Sequence, residues 1–310
     1  MSIPKILLHY SPEVTRARNL GAPLVALESS VITHGLPYPE NLHLAEAMQS
    51  DVRELGAVPA TVGIIDGTIH AGLQPEELRR LAEGEGLRKV GPRDFARLIV
   101  KGESGGTTVA GTLVVAHAAG IRVFATGGIG GVHRGDPADV SADLPALAHK
   151  PVIVVCAGAK AVLDLPATLE FLETYGVPVV GFRTDEFPAF YTAESGLPVS
   201  VRADSPEEVV DIAQAHWGMG FDSALLVAQP PPTEAALAPD LVRVAIEQAL
   251  LDSQTSSLRG QSVTPFLLDR VSELTGGASL RANLGLLRNN ARLAAHIAMM
   301  LPGSKRWKRA

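Results

Sequence analysis

The sequence predicts an α/β/α sandwich around a mixed β-sheet, followed by a mainly helical C-terminal segment. Three observations carry this. Short apolar runs at residues 24–27, 60–65, 121–125, 151–156, from 177 and at 224–227 alternate with segments of helical length and pattern, the rhythm of a layered α/β fold. Asp66-Gly67 separates two such runs and signals a tight hairpin, so one strand runs antiparallel and the sheet is mixed. Pro230, Pro231 and Pro232 then end the strand series, and three helix-length segments follow. With 310 residues, 46% hydrophobic and 19% charged, the chain has enough apolar material for a large core. Composition does not shift at Pro230, so residues 1–310 read as a single domain whose helical segment begins near 233.

Taken in order, the 24–27 strand ends at Glu28, and a polar turn over 29–41, containing Pro37 and Pro39, leads into a helix from Leu42. Residues 60–65 and 68–73 form the hairpin arms. Pro75 opens a helix reaching Glu83, at the first-turn position proline favours. Residues 88–90 lead to Pro92 and a helix with Asp94 in its first turn, and Gly105-Gly106-Thr107-Thr108 reads as the start of the apolar helix 109–119. Residues 183–200, with Pro188 and Pro198, form a long loop suited to covering a site. The C-terminal helices are expected at 238–251, 264–275 and 280–300.

Composition also excludes. A formal charge of -6 argues against nucleic acid as the main partner. The longest stretch free of Asp, Glu, Lys and Arg, residues 104–121, is broken by threonines, glycines and His117, so it reads as a core helix and no membrane span is expected. The first fourteen residues lack the pattern of a secretory signal. The basic run 305–309 reads as a solvated tail. Cys156 is the sole cysteine and sits in a predicted buried strand, so it forms neither an intrachain disulfide nor a cysteine metal site, and it reads as an inert thiol. Residues 102–108 lack the lysine and glycine spacing of a P-loop. Residues 128–133 place His133 where the dinucleotide fingerprint requires a third glycine or alanine, and none of the nine histidines forms HExxH.

What remains is concentrated in residues 121–160. Gly127, Gly128, Gly130 and Gly131 follow a buried strand and are expected to turn backbone N–H groups onto an anion, with His133 and Arg134 beside them. Lys160 follows Ala157-Gly158-Ala159 at the carboxyl end of the next strand, where ligands of open α/β sheets sit. A helix beginning at Ala161 would join desolvation in disfavouring its charged form and expose a nucleophilic amine; a surface lysine at a helix start is the plainer alternative. Asp136, Asp139 and Asp143, on a turn and a following helical start, offer hard oxygens suited to Mg²⁺ or Mn²⁺; a solvated acidic loop is the plainer alternative, and their position beside the glycine loop and Lys160 favours a metal.

The segments LESSVITHGLPYPEN, PATVGIIDGTIHAGL, FATGGIGGVHRG, DVSADL, VVCAGAKAVLDL, TPFLL and ELTGGASLRANLGLLRNNA, in this order, resemble the pseudouridine-5'-phosphate glycosidase family, also called indigoidine synthase A-like. The resemblance spans about residues 5–300; Leu36 stands where the family's HGMP has methionine. It implies a lyase-type enzyme that reversibly cleaves pseudouridine 5'-phosphate to uracil and ribose 5-phosphate, with one Mn²⁺ per subunit, in a cytoplasmic homotrimer. Carried over by motif, Glu28 is the proton donor, Lys160 the covalent nucleophile and Asp139 the metal ligand. Lys89, Val109, Ser141, Ala142 and Asp143 contact substrate. Gly128, Gly130, His133 and Asn289 are further substrate-site candidates. The chemistry agrees. A C–C glycosidic bond gives a carboxylate pair no lone pair to protonate, so an electron sink such as a lysine imine is required. A Schiff-base aldolase for another sugar phosphate uses the same groups, and a non-catalytic sugar-phosphate sensor would need neither Glu28 nor Lys160.

Overall fold

The computed structural model describes residues 8–255 and 263–302. Its large sheet has the strand order Leu8–Tyr10, Thr68–Ala71, Val58–Ile65, Leu24–Leu27, Val123–Ala125, Ile153–Cys156, Leu225–Ala228, Val179–Phe182, Val201–Ala203. From Val58–Ile65 to Val201–Ala203 every neighbour is parallel. Thr68–Ala71 returns antiparallel to Val58–Ile65 through a turn in which Asp66 (φ 48°) and Gly67 (φ 78°) both take the left-handed conformation a two-residue hairpin requires. The mixed sheet therefore follows from the Asp-Gly pair.

The chain crosses the Leu24–Leu27 strand in a decisive way. It first adds Val58–Ile65 on one side, then returns to lay Val123–Ala125 on the other. This reversal opens a crevice at the carboxyl ends of Leu24–Leu27 and Val123–Ala125, the ends that carry Glu28 and Thr126.

Helices Glu40–Glu54 and Ala278–Met300 pack together, and Ala278–Met300 also lies on the strands Leu24–Leu27, Val123–Ala125 and Ile153–Cys156. Asp51, buried in the first helix, accepts from Arg288 (2.7 and 3.0 Å) and Arg292 (3.1 Å) of the second, fixing how they slide against each other. Val109–Ala119 packs on Leu24–Leu27, Val58–Ile65 and Val123–Ala125 and against Asp143–Leu147. Its ends are set by Thr108, whose hydroxyl accepts from the Gly111 amide at 3.2 Å, and by Gly120 at φ 74°. The C-terminal helices run Pro239–Thr255, Val263–Leu274 and Ala278–Met300, close to expectation.

Four local readings change. Ser30–His34, within the expected turn, is a short helix, and Gly105–Thr107 is a strand paired with Arg88–Val90 and Val58–Ile65 rather than a helix start. Residues 132–140 form a hairpin, Val132–His133 with Asp136–Val140, which Leu163–Asp164 extends into a separate three-stranded sheet. The helix expected at Ala161 begins at Leu165, with Asp164 as its cap and Pro166 in its first turn. Lys160 therefore does not stand at a helix start, and no helix dipole acts on its amine. The basic run 305–309 lies outside the described residues.

Candidate active site

One cleft at the sheet's reversal point brings together Glu28, Lys89, Lys160, Gly127 and Gly128, within about 520 Å³ of space that includes its open mouth. A larger hollow, about 1430 Å³ including open solvent, lies around Arg18 and Arg122 at the amino ends of the strands and, among the described residues, gathers no acid or lysine.

Glu28 is buried at the end of its strand. Ser30 Oγ donates to its Oε2 at 2.6 Å, and the Thr126 hydroxyl donates to its Oε1 across the crevice. Thr126 is held in turn. Its carbonyl accepts from Asn290 Nδ2 at 2.8 Å, and Gln229 Nε2 donates to Asn290 Oδ1 at 2.9 Å. Oε1 of the acid is thus positioned by a chain of bonds reaching into the C-terminal helix, and Oε2 by Ser30 nearby.

Lys160 is delivered by a continuation of the parallel ladder beyond the strands. Ala157 N donates to Gly127 O (2.8 Å), Ile129 N to Gly158 O (3.1 Å) and Lys160 N to Ile129 O (3.0 Å). Gly158 is required here, at φ 86° and with the Pro188 carbonyl where a Cβ would stand. Lys89 reaches the same cleft from Arg88–Val90. Burial, then the positive charge of Lys160, pushes its ammonium down to about 8, against the opposing pull of Asp143 and Glu28. Two amines thus share one partly desolvated space.

The glycine-rich loop departs from expectation. None of Gly127, Gly128, Gly130 and Gly131 has positive φ, and the amides of Ile129, Gly130 and Val132 are bound to Gly158 O, Asp143 Oδ2 and Thr168 Oγ1. It is no anion nest built from alternating left-handed residues. The glycines permit close packing: a Cβ on Gly128 would stand 2.6 Å from the Phe190 ring, and one on Gly130 would collide with Ser141.

The carboxylates also separate. Asp143, the first residue of helix Asp143–Leu147, accepts from Ala110 N and Gly130 N, both at 2.8 Å. Each oxygen holds an amide, so it clamps Val109–Ala119 to the glycine loop and is not a spare metal ligand. Ser141 closes this cluster, its N–H donating to Gly131 O at 3.0 Å and its Oγ accepting from Asp143 N at 3.2 Å; Ala142, adjoining, is exposed. Ser141 and Asp143 therefore gather around Gly130, Asp143 acts on the charge of Lys89, and Val109 adjoins Ala110, whose amide Asp143 holds. Asp139 lies in the small sheet on the strand Asp136–Val140. Among the described residues no three His, Cys, Asp or Glu side chains gather to hold a metal. The described residues therefore offer no all-protein cage for a metal.

His133 is half-buried on the Val132–His133 strand, outside the cleft lining. Asn289 is not brought to the cleft either; its amide lies 3.5 Å from the Pro230 carbonyl. The same helix presents Asn283 and Leu287 to the cleft, with Asn290 behind them, and these share a face by their spacing of four and seven. That spacing was the available signal. Phe190 from the 183–200 loop, His34, Thr264 and Pro265 also line the cleft and were not singled out as site residues by sequence.

Comparison with known proteins places this geometry in context. The family described as "Indigoidine synthase A like protein" matches residues 13–300. The pseudouridine-5'-phosphate glycosidase of Myxococcus xanthus is 52% identical over 295 residues, 94% of this chain and 97% of that protein. That of Caldanaerobacter subterraneus subsp. tengcongensis is 50% identical over 293 residues, covering 94% and 95%. Among solved structures, the prealnumycin C-glycosynthase AlnA in complex with ribulose 5-phosphate superposes with a TM-score of 0.88 at 38% identity, covering 96% of this chain and 97% of that one.

Proposed function

The chain belongs to the indigoidine synthase A-like family, and on that premise we propose that it is a pseudouridine-5'-phosphate glycosidase, reversibly converting pseudouridine 5'-phosphate and water to uracil and ribose 5-phosphate. The observation that carries the reading is the convergence of one buried carboxylic acid and two amines on a cleft at the sheet's reversal point. This is the set that cleavage of a C–C glycosidic bond demands.

In the proposed sequence Glu28 gives a proton to the ribose ring oxygen as the C1'–O bond opens, and Lys160 Nζ bonds to C1'. The adduct nitrogen gives up a proton, and one proton reaches C5 of the base by way of Lys89 or water; the C1'–C5 bonding pair then returns to the base ring while the freed nitrogen lone pair forms the C1'=N imine. Water then hydrolyses the imine, releasing ribose 5-phosphate and restoring the amine. Lys89 supplies positive charge toward the phosphate end, and burial followed by the charge of Lys160 holds its own ammonium down. Asn283 offers a donor and an acceptor side by side, the complement of a uracil edge, and Phe190 an apolar wall.

Asp139 is the proposed anchor for Mn²⁺, with water filling most positions; when bound, such an ion polarises and orients oxygen groups of the substrate. A homotrimer belongs to the same proposal, supported by Leu241, Val244 and Leu251, exposed apolar residues on Pro239–Thr255. So does a cytoplasmic location, which suits a chain with a single thiol.

The reading is tested by incubating the protein with uracil, ribose 5-phosphate and Mn²⁺ and assaying pseudouridine 5'-phosphate by mass. Product formation that depends on uracil supports it. Aldol products formed without uracil would favour the Schiff-base aldolase.

A further inference from the structure

His34 stands at the cleft with both ring nitrogens engaged. Nε2 lies 3.1 Å from the carbonyl oxygen of Leu87, and Nδ1 lies 2.6 Å from Thr33 Oγ1. A carbonyl has no proton to give, so Nε2 carries the hydrogen, and in the neutral ring Nδ1 accepts from the Thr33 hydroxyl, whose other acceptor is Ser29 O at 3.3 Å. Burial holds the imidazole below its ordinary range, and the charge of Lys89 adds to that, against the Leu87 bond. The ring is accordingly neutral at pH 7, in one tautomer.

Leu87 immediately precedes Arg88–Val90, the strand that carries Lys89. That strand has three residues and a single neighbour, Gly105–Thr107, so it is a short edge. Lys89 pairs in register with Gly106, and a Cβ on Gly106 would collide with Thr33 Oγ1 and stand 2.6 Å from Ser29 O. The segment bearing Ser29, Thr33 and His34 therefore lies directly on the strand pair that presents the lysine. Desolvation and Lys160 both drive the Lys89 ammonium toward water, while Glu28 and Asp143 attract it. A bond anchoring the strand's leading end opposes its outward swing.

We propose that His34 is a positioning residue that, through its Nε2–H bond to Leu87, ties the segment carrying Glu28 to the edge strand carrying Lys89 and so holds that lysine in the cleft beside Lys160. The importance of this for turnover rests on the functional reading above; the placement itself does not.

The test is trace acetylation of the intact protein with acetic anhydride across pH 6 to 11, with the reactivity of each lysine read by peptide mass spectrometry. Wild-type Lys89 is expected to titrate near 8. His34→Ala should move its midpoint up by about one unit or more, toward the ordinary lysine value of about 10.4. His34→Gln, whose terminal amide reaches Leu87 as Nε2 does, should hold it within about 0.3 unit of wild type. An unchanged midpoint in folded His34→Ala overturns the proposal. Should that variant not fold, His34→Asn replaces it, because its shorter amide ends near the Nδ1 position; equal Lys89 midpoints in the Asn and Gln variants overturn the proposal, and a higher midpoint in Asn supports it. No substrate is involved, so absence of pseudouridine chemistry would overturn the functional reading and leave this result standing.

Discussion

Glu28 and Thr126 meet across the point where the sheet reverses its strand order: the Thr126 hydroxyl donates to one carboxylate oxygen of Glu28 while Ser30 donates to the other at 2.6 Å. The acid is therefore positioned by two strands that are neighbours in space and about a hundred residues apart in sequence. Thr126→Val keeps the shape and removes one donor. A hydrogen bond to the neutral acid that donates the proton contributes about 0.5–1.5 kcal/mol, so kcat should fall roughly 2- to 10-fold with KM little changed. Steady-state kinetics on pseudouridine 5'-phosphate check this, and an unchanged kcat would separate Thr126 from the acid's function.

Lys89 should cost the fold stability. Its folded-state pKa of about 8 lies below the ordinary value of 10.5, so the unfolded chain binds more protons between those two pH values. Stability should rise with pH across that window, and the full penalty, on the order of 3 kcal/mol, applies below about pH 8. Lys89→Met is expected to stabilise the protein at pH 7 by roughly 1–3 kcal/mol and to impair turnover. Urea denaturation at pH 7 and pH 10 gives the comparison; the gain should shrink at the higher pH.

The two aspartates should separate cleanly. Asp143 holds two amides at 2.8 Å, and in Asp143→Asn one amide would face an NH₂ group, at a cost of about 1–3 kcal/mol in denaturation experiments. Asp139→Ala should leave stability within about 0.5 kcal/mol and abolish Mn²⁺ binding measured by isothermal titration calorimetry. Chelation should likewise stop turnover of the wild type, with Mn²⁺ restoring it. Full activity after exhaustive chelation would remove the metal from the reaction.

Much of the frame was legible because it rests on local signals: Asp66-Gly67 fixed the hairpin, Pro75 a helix start, and Ala157-Gly158-Ala159 the strand end that bears Lys160. The glycine loop misled because sequence shows that a side chain is absent but not why. At Gly128 and Gly130 the reason is Phe190 and Ser141, partners brought in by distant segments. The hairpin at 132–140 escaped because Asp136, Pro137, Ala138 and Asp139 carry none of the β-branched pattern of a strand. The helix placed at Ala161 overlooked Asp164 and Pro166, a cap and first-turn pair that marks Leu165 as the start. Asn283 required the helix's orientation on the sheet, which only tertiary packing supplies.

The account depends most on which amine takes C1'. Incubation with ribose 5-phosphate and borohydride, followed by peptide mapping, reads it directly. A reduced ribose 5-phosphate adduct on the peptide containing Lys160, lost in Lys160→Ala while ribose 5-phosphate still binds, is the predicted result. An adduct on Lys89 alone, or none on either lysine in turnover-competent protein, would contradict it.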